Sequence, residues 1–128
     1  MPTLVKIEFN VVRNWIEMAS PRGKQYKNPV IVLVGRWTGS MGEDLAIGLD
    51  GMDRAQIVGT EMKRLAGSDY DFRFAHRNYG YKVIVEKLYH INGTPREAFV
   101  PKQYITQTTI AEDETFLKAL ALLSVPKA

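Results

Sequence analysis

Five apolar residues in succession, Val30-Ile31-Val32-Leu33-Val34, run toward Ser40, and that junction limits the architectures open to this chain. An unbroken, mostly β-branched run suits a strand covered on both faces, as at the centre of a parallel sheet. Behind it, Thr38-Gly39-Ser40 breaks the apolar pattern. Glu43 follows Ser40 by three residues, the spacing of a helix capping box. The segment therefore reads as a central strand, a sharp turn and a helix starting within a residue or two of Ser40. Unpaired N–H groups at a helix start carry partial positive charge and can stabilise an oxyanion. A serine in this place is also an ordinary N-cap, and the spacing alone does not separate the two roles.

At 128 residues, a single domain spanning the whole chain is expected. Charged residues make up 24% of the chain and the net charge is +3, with lysines and arginines scattered among acidic residues. No basic stripe with interleaved aromatics indicates a nucleic-acid surface. The chain has no cysteine, which excludes disulfides and thiolate metal sites. The two histidines, His76 and His90, lack carboxylates at ligand spacing, so no metal and no cofactor is expected. His76 reads as exposed in a polar turn and His90 as structural. No segment is long and apolar enough for a membrane span, and Met1-Pro2-Thr3-Leu4 does not begin a signal peptide.

Outside the central junction the signals are weaker. Alternation from Val5 to Val11 predicts a half-buried strand, and Ser20-Pro21-Arg22-Gly23-Lys24 a turn. The helix should run from Met41 to Leu49, with Leu45, Ile47, Leu49 and Met52 as its apolar face and Gly51 as its stop. Gln56-Ile57-Val58 reads as a short strand closed by Gly59, and residues 60–70 as a loop. Phe72-Arg73-Phe74 and the segment from Lys82 to Leu88 suggest a hairpin turning at Asn78-Tyr79-Gly80. Residues 101–109 look irregular. Asp113 should cap a last helix carrying Phe116, Leu117, Leu120 and Leu123. These elements make an α/β protein with a parallel core sheet, helices and an additional β-hairpin.

From Asn28 to about Pro101 the ordered set of motifs resembles the C-terminal half of the catalytic domain of C-terminal processing, or tail-specific, serine peptidases. The likeness is greatest to the branch that includes the tricorn core and the retinoid-binding-protein repeats. The matching pieces are the strand ending at Val34, Thr38-Gly39-Ser40-Met41-Gly42-Glu43 and Asp53-Arg54-Ala55-Gln56-Ile57-Val58-Gly59-Thr60-Glu61. Ala66-Gly67-Ser68 and Gly93-Thr94-Pro95-Arg96-Glu97 follow in family order, and the recognisable region extends to about residue 125. The resemblance implies a Clp-protease/crotonase-like spiral fold, represented by its C-terminal portion. It implies hydrolysis of peptide bonds through an acyl-enzyme on Ser40, with the Met41 N–H as an oxyanion donor. The family's first half, with its glycine-rich oxyanion segment, has no counterpart in residues 1–27, so a partial and by itself inactive catalytic domain is expected. A full-length parent would be periplasmic or extracellular by the same resemblance.

A serine hydroxyl needs a base. In the processing branch that base is a lysine after the Gly-Glu strand, and ungapped counting puts Leu65 there, two residues beyond Lys63. Either Lys63 reaches Ser40 or the chain has no catalytic lysine, and a solvated loop charge is the ordinary reading of Lys63. In the tricorn-like branch the base is a histidine of the missing half, oriented through a network that includes a downstream glutamate, whose place Glu97 takes. An exposed pair with Arg96 is the plain alternative for Glu97. The expected partner is a polypeptide substrate. A non-catalytic relative using the same cleft for peptides or apolar ligands is the competing reading, and acyl-thioester chemistry a weaker third. A half-domain should also expose a sheet edge and an apolar helix face, which points to a homo-oligomer.

Overall fold

A computed structural model describes residues 18, 20 and 22–124. The alternating segment from Val5 to Val11 lies outside the described residues. The apolar run forms strand β1 (Ile31–Val34), and helix α1 (Met41–Gly51) begins immediately after Ser40. The chain returns in β2 (Gln56–Gly59), which lies parallel to β1 with Ile31 opposite Gln56 and Val34 opposite Gly59. This is a βαβ unit, and α1 is its crossover. Parallel pairing in this register places the loops that leave β1 and β2 side by side at one end of the sheet. Sites in such sheets form beyond the carboxyl ends of the strands.

A hairpin follows, made of β3 (Gly67–Arg73) and β4 (Gly80–Lys87). A single 3₁₀ turn at Arg96–Ala98 leads to β5 (Gln103–Tyr104), which pairs parallel with β2. Helix α2 (Glu114–Ser124) closes the described chain, and the Asp113 carboxylate accepts the Phe116 N–H at 2.9 Å, as a cap should. The sheet order is β1-β2-β5, with the hairpin as a separate two-stranded sheet. The mixed α/β architecture with a parallel sheet, helices and a hairpin is the one expected.

The core is small: Val34, Ala46, Ile47, Ile57, Met62 and Phe99 are buried together, with Val32 and Ala55 packed against them. The details correct the sequence reading in several places. β1 is an edge strand among the described residues, not the centre of the sheet. Its Leu33 side chain is 41% exposed, so one face is uncovered. In α1 the inward stripe is Glu43, Ala46 and Ile47, so Ile47 of the expected apolar face is buried, while Leu45 and, just past the helix, Met52 face outward. Apolarity misjudged that face because a charged residue, Glu43, occupies the inward position. The residues assigned to a loop after Gly59 include the start of β3 at Gly67, whose polar and exposed Ser68, Asp69 and Asp71 carry no burial signal. The segment thought irregular contains β5, too short to leave a pattern. On α2 only Ala119 is buried, and Phe116, Leu117, Leu120 and Leu123 remain 44–49% exposed.

Candidate active site

Ser40 stands where the chain reverses from β1 into α1, and it does so at φ 53° and ψ −127°. A positive φ is costly for a residue with a Cβ, about 1–3 kcal/mol. The surrounding structure enforces it. The Thr38 N–H donates to the Gly35 carbonyl at 2.8 Å, and the Thr38 hydroxyl accepts the Gly35 N–H at 3.2 Å. On the helix side the Ser40 N–H donates to Glu43 Oε2 at 3.1 Å. The Glu43 N–H donates to the Ser40 carbonyl at 2.9 Å and is also faced by the Ser40 side chain, so the two residues form the capping box that their spacing predicts. The side chain is exposed. Met41 is the first helical residue, and no hydrogen bond to its N–H is formed among the described residues. A strained, exposed hydroxyl beside an unpaired helix N-terminal amide can attack a carbonyl and hold the resulting oxyanion.

Glu43 does more than cap. It is fully buried, and its Oε1 accepts the Arg64 N–H at 2.7 Å and the Leu65 N–H at 3.3 Å. Arg64 adopts φ 63°, a turn that brings these two amides to one carboxylate oxygen. Arg96, 3% exposed, completes the buried cluster. Its guanidinium lies 3.9 Å from Glu43 Oε2 and pairs with Asp44 Oδ1 at 2.7 Å. It also donates to the Leu65 carbonyl at 2.6 Å and the Gly67 carbonyl at 3.0 Å. Two buried charged residues thus tie the start of α1 to the loop after β2. Arg96 is therefore not the exposed partner of Glu97 that the sequence suggested.

That loop carries Lys63. Its N–H donates to the Thr38 carbonyl at 2.8 Å, which pins the backbone to the Ser40 turn. The aliphatic chain lies on Gly39: a methyl group placed there would come 2.7 Å from Lys63 Cδ. The ammonium sits over the Trp37 ring, 5.9 Å from its centroid, and Arg36 stacks on the same ring at 5.0 Å. Ser40, Met41 and Lys63 are therefore neighbours, although Lys63 is exposed. In the same loop the Glu61 carboxyl is held below its ordinary range, first by the Tyr104 hydroxyl at 2.6 Å and then by a backbone hydrogen bond.

Glu97 is placed elsewhere. Its carboxylate pairs with Lys87 at 3.0 Å, and its carbonyl accepts from Arg64 Nε at 2.7 Å. A backbone hydrogen bond and then Lys87 hold its carboxyl below the ordinary value. It contacts the loop that carries Lys63 but makes no bond to Ser40. His90 is buried, 3.2 Å from Asp50 Oδ2 and stacked near Phe99 with ring centroids 6.0 Å apart. Asp50 lies near the far end of α1, about 15 Å along the helix from Ser40, so His90 is structural. His76 is in the exposed turn of the hairpin.

The Glu43–Arg96 cluster escaped the sequence reading because its members are 53 positions apart and look like surface charges. The Ser40–Glu43 spacing was the only local trace of it. Among the described residues no group of acidic, histidine or cysteine side chains could hold a metal ion, and no helix is long and apolar enough to cross a membrane. The model of peptidase family S41 matches residues 5–108 of the chain, so the likeness begins well upstream of Asn28. No curated protein matches the chain.

Proposed function

Because the chain belongs to peptidase family S41, we propose that it carries the nucleophile of a serine peptidase of the tail-specific type, on a Clp-protease/crotonase-like spiral fold. The observation that carries this reading is Ser40 itself, exposed and held at positive φ at the start of α1. In the reaction we propose, Ser40 Oγ attacks the scissile carbonyl while the neutral amine of Lys63 takes the hydroxyl proton. The Met41 N–H donates to the oxyanion. The tetrahedral intermediate collapses, the C–N bond breaks, and the lysine proton passes to the leaving amine. Water, deprotonated by the same amine, then hydrolyses the ester on Ser40 and frees the new carboxyl end. Glu97 is an orienting acid in this reading only through the loop that Arg64 ties to it. The expected substrate is an unfolded polypeptide segment.

The faces of β1 and α2 left exposed among the described residues support a larger assembly, as with a second copy of the chain. The alternative function is a non-catalytic relative that binds peptides at the same cleft, and the exposure of Lys63 favours it, because nothing among the described residues shields the amine that would serve as base. One comparison separates the two. The natural gene product should cleave an unfolded polypeptide, and Ser40→Ala should reduce cleavage to background while leaving the thermal unfolding curve in place. Binding of the polypeptide without cleavage, equal in both proteins, would establish the alternative.

A further inference from the structure

Trp37 lies three residues before the proposed nucleophile with its side chain 76% exposed, which is unusual for so large an apolar group that packs in no core. Its ring is not idle. Lys63 crosses Gly39 and ends with its ammonium 5.9 Å from the Trp37 ring centroid. Arg36 covers the same ring at 5.0 Å. A cation is drawn to the electron-rich face of an indole, more strongly than to any other side-chain ring.

We propose that Trp37 is the positioning residue for Lys63. Its ring seats the lysine head beside the Ser40 turn. This inference rests on the reading of Lys63 as the base for Ser40. The seat has three fixed parts: the Lys63 N–H on the Thr38 carbonyl, the absence of a side chain at Gly39, and the ring itself. With any one removed, the flexible lysine chain would be free to sample solvent.

The carboxylates nearby are committed to other partners: Glu61 to the Tyr104 hydroxyl, Glu43 to the Ser40, Arg64 and Leu65 amides, and Asp44 to Arg96. Among the described residues the Lys63 ammonium meets the Trp37 ring, which it shares with Arg36.

The test follows the Lys63 side chain by NMR in the full chain, with Lys102 as an exposed reference. In the wild type the Lys63 methylene protons next to the amine should lie upfield of those of Lys102, because they sit over the indole face. Trp37→Leu should abolish that upfield displacement, and Trp37→Phe should restore part of it. Unchanged proton positions in Trp37→Leu would overturn the seat. In parallel, labelling of Ser40 by a fluorophosphonate should be about threefold slower in Trp37→Leu than in the wild type and partly recovered in Trp37→Phe. Labelling at the wild-type rate in a Trp37→Leu variant that has lost the displacement would overturn the positioning role. Absence of labelling in the wild type, with the seat intact by NMR, would overturn the peptidase reading instead.

Discussion

Arg96→Ala is expected to destabilise the fold by about 3–5 kcal/mol, the usual cost of stripping the partner from a buried ion pair. Glu43 is fully buried and Arg96 nearly so. Removing the guanidinium leaves Glu43 with its amide donors and no counter-charge. It also releases the Asp44 carboxylate and the carbonyls of Leu65 and Gly67. A domain of this size has about 5–15 kcal/mol in total, so the variant should sit near the edge of unfolding. Arg96→Lys keeps the charge but cannot reproduce the planar fork, and an intermediate loss is expected. Urea unfolding followed by circular dichroism measures both. A loss below about 1 kcal/mol for Arg96→Ala would mean that the cluster is hydrated and does not hold the loop.

The other large effect concerns Gly59, the last residue of β2. It adopts φ 139°, and a Cβ there would lie 1.9 Å from the Val34 carbonyl oxygen. Both partners are backbone in a parallel ladder, so neither can swing aside. The forbidden conformation alone costs about 1–3 kcal/mol. With the clash added, Gly59→Ala should lose about 4 kcal/mol or more, with Gly48→Ala as the control. Gly48 is exposed within α1 and a Cβ there meets nothing within 4 Å. That control should gain up to about 1 kcal/mol from helix propensity. Equal unfolding midpoints for the two variants would contradict the backbone geometry described for the end of β2.

What the sequence disclosed was mostly local. β1, the turn and α1 were legible because a β-branched run, a break and the Ser40–Glu43 spacing fall within fifteen residues of each other. The Asp113 cap was legible for the same reason. What was hidden came from contacts across the chain. The inward face of α1 could not be read from hydropathy, because its burial is decided by Arg96, 53 positions after Glu43. The first part of β3, residues 67–71, was hidden because its side chains are exposed and mostly polar and make no apolar alternation. Which residue after β2 lies beside the Ser40 turn was hidden too, since ungapped counting points to Leu65. The strong turn at Arg64 takes the next residues away to Glu43 and leaves Lys63 beside Gly39.

The central claim is that Ser40 is a nucleophile, and the site of acylation tests it most directly. The natural gene product is treated with a fluorophosphonate across a range of pH, digested, and the adduct located by mass spectrometry. The account predicts a single adduct on the peptide containing Ser40. Lys63→Ala should slow its formation, and Ser40→Ala should abolish it. Modification confined to another hydroxyl, or a Ser40 that stays unmodified at every pH, would contradict it.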